Sequence, residues 1–115
     1  MNELNETIGA TLESNKDNLV IFDFWAEWCG PCKALKPALE AASSKYSKVK
    51  IFGINIDKNN DITRHHDISA IPTLIFYHGG KLVERMIGCK SQSEIEKQIQ
   101  KYVKYNNKLD EELTS

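Results

Sequence analysis

Seven residues early in the chain, Leu19-Val20-Ile21-Phe22-Asp23-Phe24-Trp25, narrow the fold more than any other stretch. β-Branched and aromatic side chains follow one another with a single interruption, the pattern of a strand covered on both faces by helices. It reads as a central parallel strand. Residues 33–46 then repeat Leu35, Ala38, Leu39, Ala42 and Tyr46 on one helical face, with Pro37 expected to kink the segment about one turn in. A second strand is read from Val49 to Ile56. Strand, helix and strand make a βαβ unit with a right-handed crossover, so the class is α/β.

Downstream, a short helix is expected to end near His66, followed by strands at 72–77 and 81–87 joined through Gly79-Gly80 as a hairpin. Ser91-Gln92-Ser93-Glu94 is a capping box that opens a final helix with Ile95, Ile99, Tyr102 and Val103 on one face. Residues 2–16 are ambiguous. Leu4, Ile8 and Leu12 recur every four residues, which favours a helix, while Gly9 and many polar residues weaken it.

The chain of 115 residues carries 15 Lys+Arg against 16 Asp+Glu, a net charge of -1. So even a balance rules out a histone-like or tail-driven nucleic-acid binder. The longest mostly apolar run, Leu19 to Ala26, is too short to span a bilayer, and the opening residues resemble no secretory or mitochondrial leader. The expected compartment is the cytoplasm. One domain is expected over 1–105, with 106–115 as a short polar, solvated tail.

Three cysteines in such a chain are too few, and odd in number, for a disulfide scaffold. Two of them lie in Trp28-Cys29-Gly30-Pro31-Cys32, where the first strand gives way to the first long helix. On one helical turn their Cα atoms would stand about 5 Å apart, inside the window a disulfide needs. Cys29 at the helix start would have free N–H groups and the positive dipole end beside its sulfur, which favour the thiolate. Pro31 suits a first turn, where its missing N–H costs nothing. That spacing suits thiol-disulfide exchange, with Cys29 attacking and a better-buried Cys32 resolving. The alternative is half of a zinc site. Cys89, His65, His66 and His78 supply no second ligand pair at metal spacing, which weighs against zinc.

Asp23 shares a strand face with Ile21 and Trp25, so it is expected beneath the following helix. Desolvation there would raise its pKa and suit it to take a proton from Cys32. Pro72 begins a strand, a position that tolerates a missing N–H. Trp25 reads as a core aromatic, Trp28 as a border of the thiol site and Cys89 as a small buried hydrophobe, while the three histidines are expected in solvent.

Over roughly residues 18–103 the chain resembles the thioredoxin family. Asp23-Phe24-Trp25-Ala26-Glu27-Trp28-Cys29-Gly30-Pro31-Cys32-Lys33, Asn55-Ile56-Asp57, Ile71-Pro72-Thr73, Gly79 and Gly88 carry the likeness, in the family's order and spacing. The resemblance implies a central mixed sheet of four to five strands flanked by helices. It implies Cys29 as attacking thiol, Cys32 as resolving thiol and Asp23 as buried acid/base. It further implies a cis bond at Pro72, with Ile71 pairing to extended substrate, and a docking surface bordered by Trp28, Gly30, Pro31, Ile71, Pro72 and Gly88.

The Gly-Pro dipeptide between the thiols resembles the family's reductases. The implied activity is reduction of disulfides in target proteins by a monomer whose redox-active disulfide is Cys29-Cys32. No cofactor or metal would be bound, and NADPH would be used only indirectly, through a flavoprotein thioredoxin reductase. Rival readings are a redox-inactive interaction subunit of the same fold and a disulfide oxidase or isomerase.

Three features depart from the family pattern. Gly53 stands where many members carry a lysine near the buried Asp, which removes a charge partner of Asp23. The N-terminal segment lacks an alternating apolar strand, leaving four strands or a poorly formed fifth. Cys89 adds a thiol beside Gly88.

Overall fold

The structure is a computed structural model that describes residues 1–104; the tail expected at 106–115 lies outside the described residues. Five strands form one mixed sheet: β1 (Asn2–Glu3), β2 (Leu19–Trp25), β3 (Val49–Asn55), β4 (Thr73–His78) and β5 (Lys81–Ile87), in the order β1-β3-β2-β4-β5. β3 runs parallel to both β1 and β2, while β4 is antiparallel to β2 and to β5. Four helices connect or follow them: α1 (Ile8–Ser14), α2 (Gly30–Lys45), α3 (Asn60–His65) and α4 (Gln92–Ile99). β2–α2–β3 is the expected parallel unit, and β2 is buried along almost its whole length. The ambiguous opening resolves into a two-residue edge strand followed by a helix. Thr7 caps that helix by accepting the Ala10 N–H at 3.1 Å.

Alternation along β2 divides the core into two layers. Leu19 and Ile21 face α2 and α4 with Leu35, Leu39, Ala42, Leu74, Phe76, Ile95 and Ile99. Val20, Phe22 and Phe24 face the other way with Ile54 and Ile75, covered by Ile8 and Leu12 of α1 and Ile62 of α3. Each fully buried Leu, Ile or Phe contributes about 1.5–3 kcal/mol of transfer free energy, so both layers contribute to holding the helices on the sheet.

The final helix has the cap expected of it, Ser91 Oγ accepting the Glu94 N–H at 3.1 Å. Gly79 and Gly80 take φ of 60° and 78°, the paired left-handed conformations of a tight hairpin turn. α2 continues through Pro37, whose missing N–H leaves one carbonyl of the preceding turn without its helical donor. Among the described residues no helix is long and apolar enough to cross a membrane.

His66 and Cys89 depart from the sequence expectations. His66 is buried, not solvated: Nδ1 lies 2.9 Å from the Ile62 carbonyl and Nε2 2.9 Å from the Tyr77 hydroxyl, and the ring packs on Phe24. Closing α3 against the sheet turns this ring inward, while His65 and His78 remain exposed. Cys89 is exposed, not buried. Gly88, at φ 89°, turns the chain away from β5, and Cys89 follows on the outside of that turn.

Candidate functional site

β2 ends in Trp25, and four residues later the chain enters α2 with Cys29 as its N-cap. Cys29 has an extended backbone, and its Sγ accepts the Cys32 N–H at 3.2 Å. An N-cap normally offers an oxygen to these orphan donors; here a sulfur fills that place, so the helix end itself stabilises negative charge on Cys29. Pro31 occupies the first turn, as expected. Cys29 and Cys32 are joined in a disulfide with Cα atoms 5.3 Å apart, close to the separation read from helical geometry. Both are buried to a similar degree, 5% and 3% exposed, so in the bonded state Cys32 is not distinctly the deeper thiol.

Around the disulfide, Ala26 completes a small buried cluster with Trp25, Ile56 and Ile71 packed against it. The Ile71-Pro72 bond is cis. Pro72 O accepts the Gly88 N–H at 2.8 Å, and Thr73 Oγ1 donates to Ala70 O at 2.6 Å. The first of these bonds ties the segment before β4 to the turn after β5, and Ile71 of that segment packs against the thiol cluster. Trp28 is 69% exposed, and its indole N–H donates to Asp57 Oδ2 at 2.9 Å. Asp57 is held in turn by the Asn55 side chain, which accepts the Asp57 N–H at 2.9 Å. The sequence offers Asn55-Ile56-Asp57 only as a motif. Its polar residues at the end of a strand are the signal that an Asx turn aims a carboxylate, but nothing local identifies Trp28 as the recipient.

Asp23 lies beneath α2 and is 1% exposed. Its Oδ1 is shielded from solvent and has no hydrogen-bond partner. The pKa rises from 3.8 to about 7, first through burial, then through the charge of Glu3, with Lys36 opposing both. A carboxyl titrating near neutrality is partly ionised, and so able to accept a proton, at physiological pH. Asp23, Glu3, Trp25, Glu27, Cys32 and Lys36 all line one cavity of about 500 Å³.

Gly53, opposite Asp23 in the β2–β3 register, carries no charge, so the missing lysine is not replaced at that position. Lys36 on α2 supplies a cation instead. Trp25 is only half-buried, its indole N–H donating to Glu3 Oε1 at 2.6 Å, so it walls the cavity and is not a core aromatic. Glu3 and Lys36 are the residues that sequence reasoning missed, because neither lies near Asp23 in the chain. Among the described residues no group of three or more His, Cys, Asp or Glu side chains is arranged to hold a metal ion.

Comparison with known proteins gives one consistent result. The family model described as Thioredoxin matches residues 4–101. The chain is 42% identical over 90 residues to thioredoxin of Chlamydia trachomatis, an alignment covering 78% of this chain and 88% of that one. It is 42% identical over 77 residues to Thioredoxin-T of Drosophila melanogaster, covering 66% of this chain and 49%, about half, of that longer protein. The fold superposes on reduced Schistosoma mansoni thioredoxin with a TM-score of 0.79 at 34% identity, covering 88% and 94% of the two chains.

Proposed function

The chain belongs to the thioredoxin family, and from that premise we propose how its residues divide the reaction. It is a protein dithiol-disulfide oxidoreductase whose redox pair is Cys29 and Cys32. The observation that carries this reading is the disulfide at the N-terminus of α2, with the Cys29 sulfur set among backbone donors.

In the reduced protein the Cys29 thiolate attacks one sulfur of a target disulfide, forming a mixed disulfide and expelling the other target sulfur as a thiolate. Cys32 then attacks Cys29 Sγ. The Cys29–Cys32 bond forms, the bond to the target breaks, and the target leaves with two electrons. Asp23 is the base for this second step, taking the Cys32 proton across the cavity they share. Its burial, its unpartnered oxygen and its near-neutral titration support that role.

Trp28, Gly30, Pro31, Ile71, Pro72 and Gly88 form the surface on which extended target chain docks, the backbone at Ile71 pairing with it as a strand would. Support comes from the exposed Trp28 and from the bond between Pro72 and Gly88 that holds the two loops together. In this reading the protein acts as a monomer on disulfide-containing proteins in the cytoplasm, a reducing compartment. It is returned to the dithiol by a flavoprotein thioredoxin reductase drawing on NADPH, and one domain covers residues 1–105.

Reduction of insulin by dithiothreitol, followed as turbidity, tests the assignment. The wild-type protein is expected to accelerate it and Cys29→Ser to leave only the uncatalysed rate. Equal rates for the two proteins would favour the redox-inactive interaction subunit.

A further inference from the structure

Three residues from three strands lie in one row across the sheet under α2. Gly53 of β3 registers with Glu3 of β1 on one side and with Asp23 of β2 on the other, so all three belong to the same sheet face. Two strand spacings, about 10 Å, separate the Glu3 and Asp23 backbones. The space a side chain at position 53 would occupy is already taken: a Cβ built there collides with the Glu3 carboxylate and comes within 3.0 Å of Trp25 Nε1. Trp25 fixes the Glu3 carboxylate in that space through the 2.6 Å indole hydrogen bond.

We propose that Glu3 is a positioning residue for the resolving step: seated over Gly53 and held by Trp25, it sets a second negative charge beside the cavity and keeps Asp23 basic enough to take the Cys32 proton. The inference rests on the assignment of Asp23 as that base. The cavity that Asp23 lines is also lined by Met1, by Glu3 from β1, by Glu27 from the turn before α2, and by Cys32, Lys33 and Lys36 from α2; of their charges, Glu3 and Lys36 are the two that act on Asp23. Gly53 and Leu74, the residues paired with Asp23 on either side, bring no charge.

A like charge disfavours ionisation of its neighbour, whereas a cation favours it. Glu3 therefore acts in the same direction as burial and against Lys36, the order in which the three affect Asp23. The step balances as proton transfer from the Cys32 thiol to the Asp23 carboxylate, followed by attack of the Cys32 thiolate on Cys29 Sγ with departure of the target thiolate. Glu3 exchanges no atoms. It changes only how strongly Asp23 holds the proton it receives.

Two variants test this, with Asp23 titrated directly by carboxyl carbon NMR in the reduced protein and resolution of a preformed mixed disulfide followed against pH. Glu3→Gln removes the charge but keeps an oxygen for the Trp25 N–H, whereas Gly53→Ala keeps the charge and evicts it. Both are expected to lower the Asp23 midpoint by about half a unit to one unit, the Coulomb effect of one charge at that separation in a partly solvated site. The acid limb of the resolution profile should move by the same amount. An unchanged midpoint in either variant overturns the proposal, since both charge and seating are required. If the Glu3 and Gly53 variants titrate like wild type while Asp23→Asn slows resolution, Glu3 loses its role and Asp23 keeps its own. If Asp23→Asn resolves at the wild-type rate, the base assignment falls, and the role of Glu3 with it.

Discussion

The thiol pair and the carboxyl beneath it are neighbours in space but are built in opposite ways. Cys29 and Cys32 take their placement from four consecutive residues and one helix end. Cys29 caps α2, Pro31 fits the first turn, and one turn of rise sets the sulfurs at bonding range. Asp23 takes its environment from separate segments: a cover from α2, a like charge from β1, a slot from β3 and an opposing cation at Lys36. Such a difference teaches where each is vulnerable. The first site fails only when one of its own atoms is removed, whereas the second can be retuned by distant substitutions that touch no sulfur.

The largest effect breaks the thiol side outright. Cys32→Ser should complete the first attack and then stall, so mass spectrometry of the protein mixed with oxidised insulin is expected to find it almost wholly as a mixed disulfide on Cys29. Recovery of unmodified protein would reverse the assigned order of attack.

On the carboxyl side, Asp23→Asn should slow resolution by about 100-fold and the initial attack far less, as rapid-quench separation of the two steps would reveal. Equal slowing of both steps would count against proton transfer at Cys32. The same substitution carries a stability signature. Because the folded protein holds the Asp23 proton with a pKa near 7 against an ordinary 3.8, folding binds this proton more tightly. The resulting penalty is absent below about pH 4, grows as pH rises towards 7 and is complete above it. Asn has no proton to lose. Urea unfolding should therefore find Asp23→Asn more stable than wild type by up to roughly 4 kcal/mol at pH 8, and by little at pH 3.

The smallest effect sharpens the border between the two regions. Trp28→Phe keeps an exposed ring but loses the donor to Asp57, which should lower kcat/KM for a protein disulfide by about threefold, with resolution unchanged. A change in resolution would mean that Trp28 acts on the chemistry and not on docking alone.

Much of this was legible from the chain, and the parts that were not have a common cause. β2 announced itself because a strand buried on both faces needs apolar residues at every position, and Asp23 stood out as the exception. The hairpin and α4 were readable from Gly79-Gly80 and the Ser91 cap, both local devices. Cys89 and His66 were misread because burial is not local: a turn at Gly88 puts one outside, and contact with Tyr77 puts the other inside. β1 was only half-read, since two residues on a sheet edge leave no periodicity to detect. Glu3 carried no signal at all, being one acidic residue among several in a polar opening segment.

The amino-acid order alone settled that Cys29 and Cys32 stand at disulfide range at a helix start, since geometry over one helical turn depends on residues already adjacent in the chain. Folding decided the remainder: which way the cis-Pro72 loop and the Gly88 turn meet, what surrounds Asp23, and which charges it feels. Electrostatic energy in a buried site depends on distances between segments far apart in sequence, and only packing of the sheet and α2 assigns those distances.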